Sequence, residues 1–142
     1  MSPAGLDELF ASSPAGEIPR GRGTGTVVVA PGTRFARPLA AAARILFWQG
    51  KVFRPAAHDL VNLLTPFGRT GIRAEVRHDE SVLDGRPCIV LDYSTSSRVA
   101  RHVRDEIRQI GPNQYLGVVM RGSRQLRLHF LLRFDGPADA AA

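Results

Sequence analysis

The cleanest pattern in the chain is I-R-A-E-V-R at 72–77, where Ile72, Ala74 and Val76 alternate with Arg73, Glu75 and Arg77. Strict period two marks a strand with one face in a core. Similar short runs recur on both sides. T-G-T-V-V-V-A (24–30) is β-branched and stopped by Pro31-Gly32, F-W-Q-G-K-V-F-R (47–54) is broken by Pro55, and D-L-V-N-L-L-T (59–65) is closed by T-P-F-G. C-I-V-L-D-Y-S starts at Cys88 after the turn D-G-R-P. Y-L-G-V-V-M-R and Q-L-R-L-H-F-L-L-R-F then form a terminal hairpin around a G-S turn. In the last run Leu126, Leu128, Phe130, Leu132 and Phe134 share one face, opposite Gln125, Arg127, His129, Leu131 and Arg133.

Two stretches follow a different period. Pro38 suits a first helical turn, and L-A-A-A-A-R-I-L behind it predicts a short helix ending near Phe47. A second helix is predicted over 97–110, closed by Gly111-Pro112. There Val99, Val103, Ile107 and Ile110 recur at spacings of three and four. Arg101, Arg104 and Arg108 lie opposite as a solvated face, with Arg101 and Asp105 paired at i, i+4. His102 and Glu106, also i, i+4, border the apolar stripe.

Seven or eight strands joined by turn-like connections, too short for parallel crossovers, predict a mainly β fold with two short helices. The expected architecture is an antiparallel barrel of seven to eight strands, or a strongly curled sheet, over 24–134. Residues 1–23, rich in Pro, Gly, Ser and Ala, are expected to form a flexible arm with one helical turn at 6–10, and 135–142 a disordered tail. At 142 residues and 44% hydrophobic content the chain makes one domain with a real core. No window approaches the ~18 apolar residues of a membrane span. The N-terminus has acids where a signal peptide would be basic, and the single Cys88 forms no internal disulfide, so the cytoplasm is the default expectation. The net charge of +6 invites nucleic acid as a partner. The bases are spread rather than clustered and almost all are Arg, Lys51 being the only lysine, which argues for a solvated basic surface instead. No metal-ligand spacing appears and no cofactor is called for.

The candidate chemistry starts at Asp92, an acid inside an apolar strand, which is costly unless paired or functional. Its face is open: Asp92 and Tyr93 point to opposite sides, so either Asp92 lines a lumen, or it is a surface acid and Tyr93 faces the core, or Asp92 accepts bonds from the backbone at 94–97. Asp92 and Glu106 are the candidate acid/base groups. Tyr93, Tyr115, Arg121 and Arg127 are candidates for holding a ligand, the arginines for an acidic one. Trp48 is a packing or stacking residue at a strand start, and His129 is either a surface residue or a ligand.

The segment R-I-L-F-W-Q-G-K-V-F resembles the W-x-G opening of lipocalin-like (calycin) barrels of the bacterial GXWXG and nitrobindin-like kind, with Leu46 where the usual motif has Gly. Together with L-D-Y-S, R-D-E-I-R and Y-L-G it is similar to a group of short bacterial proteins without an assigned function, over roughly 24–134. The resemblance implies a lumen for an apolar small molecule, and, in some relatives, cofactor-free cyclase or lyase chemistry. By the nitrobindin likeness alone, His129 would take the haem-ligand position. Five function classes follow: binding of a small, largely apolar molecule in the lumen; cofactor-independent cyclisation, isomerisation or lyase chemistry on such a molecule; haem binding; nucleic-acid binding; and a structural or partner-binding module, including a homodimer through an exposed strand edge.

Overall fold

The N-terminal segment orders itself locally. Ser2 caps a helix, α1 (Pro3–Ser12), by accepting a hydrogen bond from the Gly5 amide at 3.0 Å, and Pro3 occupies the first turn, where its missing N–H costs nothing. Leu6, Leu9 and Phe10 fall on one face, and Leu6 and Phe10 are buried. The expected loose arm with a single turn is thus a ten-residue helix with a docking stripe. The computed structural model describes residues 2–28, 48–54, 57–64, 69–93, 103–121 and 124–135.

Eight strands follow: β1 (Gly21–Val28), β2 (Trp48–Arg54), β3 (Asp59–Leu64), β4 (Arg69–Glu80), β5 (Pro87–Asp92), β6 (Val103–Gly111), β7 (Gln114–Arg121) and β8 (Arg124–Phe134). Each pairs antiparallel with its sequence neighbours, and β1 pairs with β8 from Gly23–Phe134 to Val28–His129, so the sheet closes into a barrel. The antiparallel barrel expected from the short strands is therefore present, with eight strands. Closure leaves no open edge among the described strands. No helix among the described residues is long and apolar enough to cross a membrane.

The inside is built from alternate residues. Phe53, Leu60, Ala74, Val76, Ile89, Leu91, Ile107, Tyr115, Phe130, Leu132 and Phe134 form one buried cluster. Rings need room in a narrow barrel. Gly117, opposite Phe130, provides it: a Cβ there would collide with the Phe130 ring, and one at Gly23 would collide with Phe134. Phe134 packs edge-on against both Phe53 and Tyr115, at centroid distances of 5.5 and 5.6 Å.

The predicted helix over 97–110 is overturned for its C-terminal part, where 103–111 is strand β6. Val103, Asp105 and Ile107 point inward and Arg104, Glu106 and Arg108 outward, so the operative period is two. Residues 97–102, with Arg101 and His102, the helix expected over 38–47, and the tail at 136–142 lie outside the described residues.

One end of the barrel is sealed. The turns between β2 and β3, β4 and β5, and β6 and β7 lie there, using positive φ at His58 (53°), Gly85 (72°) and Asn113 (58°). The strap after α1 crosses this end: Ile18 packs on the core, the Tyr115 hydroxyl donates to the Glu17 carbonyl at 2.5 Å, and the Gln109 amide donates to Pro14 and Ala15 carbonyls. α1 itself lies on the outer wall, where Leu6 and Phe10 cover Leu116, Val118 and Met120. Phe10→Ala empties that contact, and the expected loss is about 3 kcal/mol, the lower end for a buried Phe. It is measured as a lower urea midpoint with an unchanged slope; a midpoint that does not move would show that α1 is not part of the cooperative fold.

Candidate functional site

Among the described side chains, the sequence places three polar ones, Lys51, Tyr93 and Asp105, on inward positions of the barrel. Phe53 and Ile107 face the core, so Lys51 and Asp105, two residues before each, face it as well. Tyr93 follows Leu91 on the same face of β5. The Lys51 ammonium donates to the Tyr93 hydroxyl at 2.6 Å, and that hydroxyl donates to Asp105 Oδ2 at 3.3 Å. Lys51 Nζ is also 3.5 Å from Asp105 Oδ2, with the two side chains only 4% and 6% exposed. The Tyr93 and Phe130 rings each stand 5.4 Å from Nζ.

Desolvation dominates this cluster. Burial lowers the Lys51 pKa, while attraction to Asp105 and the hydrogen bond pull it back up only in part. Burial likewise raises the Asp105 pKa against the pull of Lys51 and Tyr93. Both groups are therefore biased toward their uncharged forms. Asp105 Oδ1 is buried and has no hydrogen-bond partner among the described residues. An orphaned acceptor of this kind costs about 1–3 kcal/mol and marks a place where a donor is missing. The cluster faces away from the sealed end, toward the end at which the connections 29–47, 65–68, 94–102 and 122–123 join the strands.

The candidates named from sequence separate into inside and outside. Tyr93 points inward into the cluster, so Asp92 points out, where Arg77 Nη1 pairs with it at 3.0 Å. Of the alternatives the sequence leaves open for Asp92, the structure has the outward acid with Tyr93 facing the core, so Asp92 as a lumenal acid/base candidate is corrected. Tyr115 is inside but belongs to the sealed end, with its hydroxyl used by Glu17. Glu106 is fully buried yet on the outer wall: it accepts from the Ser81 hydroxyl at 2.6 Å, from the Val82 amide at 2.9 Å and from Arg104 Nη2 at 2.9 Å. Its role is to anchor the β4–β5 turn, not to meet a lumen. His129 also points outward, where its ring is within 2.8 Å of Asp7 Oδ1 on α1, away from the position a lumenal haem ligand would need. Arg121 is exposed at the end of β7. Trp48 and Arg127 lie on β2 and β8, and their side chains are outside the described residues.

Arg108, expected on a solvated face, is completely buried on the outer wall. All five of its N–H groups are used: two on the Asp84 carboxylate at 2.7 Å each and the others on the carbonyls of Phe10, Arg86 and Pro87. Its guanidinium lies 4.4 Å from the Phe10 ring centroid. Those bonds hold the Asp84 carboxyl well below the usual carboxylate range.

Sequence reasoning missed Lys51 and the inward role of Asp105. The signals were present: the sole lysine of the chain, and the alternation V-x-D-x-I at 103–107. At the sealed end a separate cleft of about 230 Å³ is lined by Ile18, Arg20, Phe53, His58, Asp59 and Val76. Organic ligands usually occupy roughly 300–1,000 Å³. Asp59 in that cleft is already held by Arg54, through two bonds of 2.8 Å, and by Arg73. The cleft is thus small, and its acid is already satisfied.

Fold and inner cluster together define an eight-stranded antiparallel barrel with, among the described residues, three polar side chains buried in its interior. No family model matches the chain, and no curated protein matches it. Among solved structures, a protein from Thermomonospora curvata is similar, with a TM-score of 0.65 at 20% identity over 93% of this chain and 86% of that one. At that identity the likeness concerns the fold alone.

Removing one member of a buried charge pair strands the other. Lys51→Met is expected to lose about 3–5 kcal/mol at neutral pH. Asp105, raised in pKa and deprived of its cation, is comfortable when protonated, so the variant should lose stability as pH rises above ~4. The double variant Lys51→Met/Asp105→Leu should recover most of the loss in urea unfolding; a double variant as weak as the single one would refute the pairing. For Asp84 the sign is opposite. A carboxyl with a depressed folded pKa contributes stability above its unfolded pKa, so the advantage of wild type over Asp84→Asn should be full at neutral pH and shrink as pH falls below ~3.9. Unfolding curves at several pH values check this, and an advantage that grows in acid would overturn it.

Proposed function

We propose that the barrel binds a small, largely apolar organic molecule in its lumen, in the manner of lipocalin-like barrels, with Lys51, Tyr93 and Asp105 as its polar anchor. The observation that carries this reading is the buried Asp105 Oδ1, which has no partner among the described residues, beside a desolvated lysine. Ligand sites are mostly apolar walls with a few convergent polar groups, and this end of the core has that composition: Phe130, Val103 and Val119 around the cluster. The three groups supply both signs of hydrogen bonding. The ammonium and phenol recognise a carbonyl, carboxylate or hydroxyl oxygen, and the free carboxyl oxygen takes a donor.

A second reading, cofactor-independent isomerase or cyclase chemistry, is favoured by one further feature. Asp105, kept toward its protonated form by burial and touching a phenol, is a suitable general acid, and Lys51 in its neutral form a suitable base. This moves the acid/base assignment from Asp92 and Glu106, both on the outer wall, to Asp105 and Lys51. Native mass spectrometry of gently purified protein, including a sample incubated with 1-decanol, tests the binding reading. A non-covalent adduct is expected that vanishes on denaturation and in Lys51→Met/Asp105→Leu. Spectra with only the free protein, from both samples, would sink it.

A further inference from the structure

Of the 19 Lys and Arg residues, 18 are arginine, and the one lysine is the base buried inside the barrel. The two residues differ chemically in a way that matters at this position. A guanidinium keeps its proton in proteins and is a poor nucleophile, whereas a desolvated lysine can shed its proton and attack a carbonyl carbon. The outer wall shows that this chain can bury an arginine when only a fixed charge is wanted, as Arg108 with its five satisfied N–H groups does. At the lumen it has an amine instead, with a phenol 2.6 Å from the nitrogen and a carboxyl 3.5 Å away.

We propose that Lys51 is a carbonyl-capturing amine, which condenses with the aldehyde or ketone group of an otherwise apolar ligand to form an imine inside the barrel. The inference rests on the lumen being the ligand site and names the ligand's reactive group. In the step, the lone pair of neutral Nζ forms a C–N bond while the carbonyl π pair moves to oxygen. Tyr93 or protonated Asp105 gives that oxygen a proton, and the proton lost from nitrogen returns to the donor. A second proton transfer releases the oxygen as water as the C=N bond forms. Nothing is oxidised or reduced, and the carbonyl compound is the only co-reactant. Burial favours the uncharged amine that the attack requires and keeps bulk water from reversing the condensation.

The single lysine makes the test clean, because only Nζ of Lys51 and the N-terminal amine can form a reducible imine. The intact protein is incubated with decanal, and separately with benzaldehyde, in the presence of cyanoborohydride, and the secondary amine is located by peptide mass mapping. Labelling of Lys51 ahead of the N-terminal amine is expected. Tyr93→Phe should slow it roughly a hundredfold, the low end of what a positioned proton donor supplies. Lys51→Arg should not label there at all, and because the mapping is done on wild type, a poorly folded variant does not spoil the result. Labelling confined to the N-terminal amine, while 1-decanol is still bound in native mass spectra, would overturn the imine and leave the binding reading standing. Neither labelling at Lys51 nor binding of 1-decanol would overturn both.

Discussion

Closure of the sheet is the constraint on which everything else depends. Once β8 pairs with β1, each strand has one face that meets only other strands' inner faces, and whatever stands at alternate positions is forced into a dry interior. For most positions the chain supplies Phe, Leu, Ile or Val, and glycines opposite the rings keep the narrow lumen from overfilling. At Lys51, Tyr93 and Asp105 the same geometry drags polar groups inside. An open sheet would have let Lys51 reach solvent; a closed one makes its desolvation unavoidable, and Asp105 and Tyr93 are what it meets instead.

The outer wall is not a solvent face throughout, and among the described residues its network at Glu106 and Arg108 differs in character from the inner one at Lys51 and Asp105. Under α1 and the β4–β5 turn, Glu106 and Arg108 are wholly covered, yet each is bonded by several partners from the segments that cover it. These bonds reach across long sequence separations, tying the Phe10 carbonyl and residues 81–87 to β6. Such a network registers the N-terminal segment against the barrel, and the strap that follows it then seals one end. The inner network instead joins side chains of three strands, β2, β5 and β6, to one another.

Much of the barrel was legible because alternation survives wherever one face is apolar and the other polar, as in Ile72, Ala74 and Val76 on β4 or Phe130, Leu132 and Phe134 on β8. Strand β6 defeated that rule for a physical reason. Its inward face carries Asp105 between Val103 and Ile107, and its outward face carries residues that are themselves buried, so neither face has a uniform polarity. The remaining apolar positions, Val103, Ile107 and Ile110, happen to fit helical spacing. The inward turn of Tyr93 rather than Asp92 was left open by sequence, since each residue suits either side. It is decided by β6, whose Arg104 stands beside Asp92 on the outer face while Asp105 waits inside for the phenol. The Pro, Gly, Ser and Ala content of residues 1–23 suggests an arm and hides α1, whose docking stripe is only Leu6, Leu9 and Phe10.

Comparing the two buried bases gives the sharper reason to look for function in the lumen. A stabilising role for a buried cation requires that its desolvation be offset by hydrogen bonds and charge, and Arg108 meets that requirement completely, with a bidentate carboxylate and three carbonyls. The inner pair differs: among the described residues its carboxylate keeps one oxygen without a partner, and burial shifts both residues toward their uncharged forms. A Leu or Met in place of each would pack the same barrel without the penalty, as buried pairs elsewhere show. Three inward polar groups brought together from β2, β5 and β6 therefore need a reason other than folding. The proposed ligand, supplying a donor to Asp105 and meeting an amine whose pKa burial lowers, is such a reason.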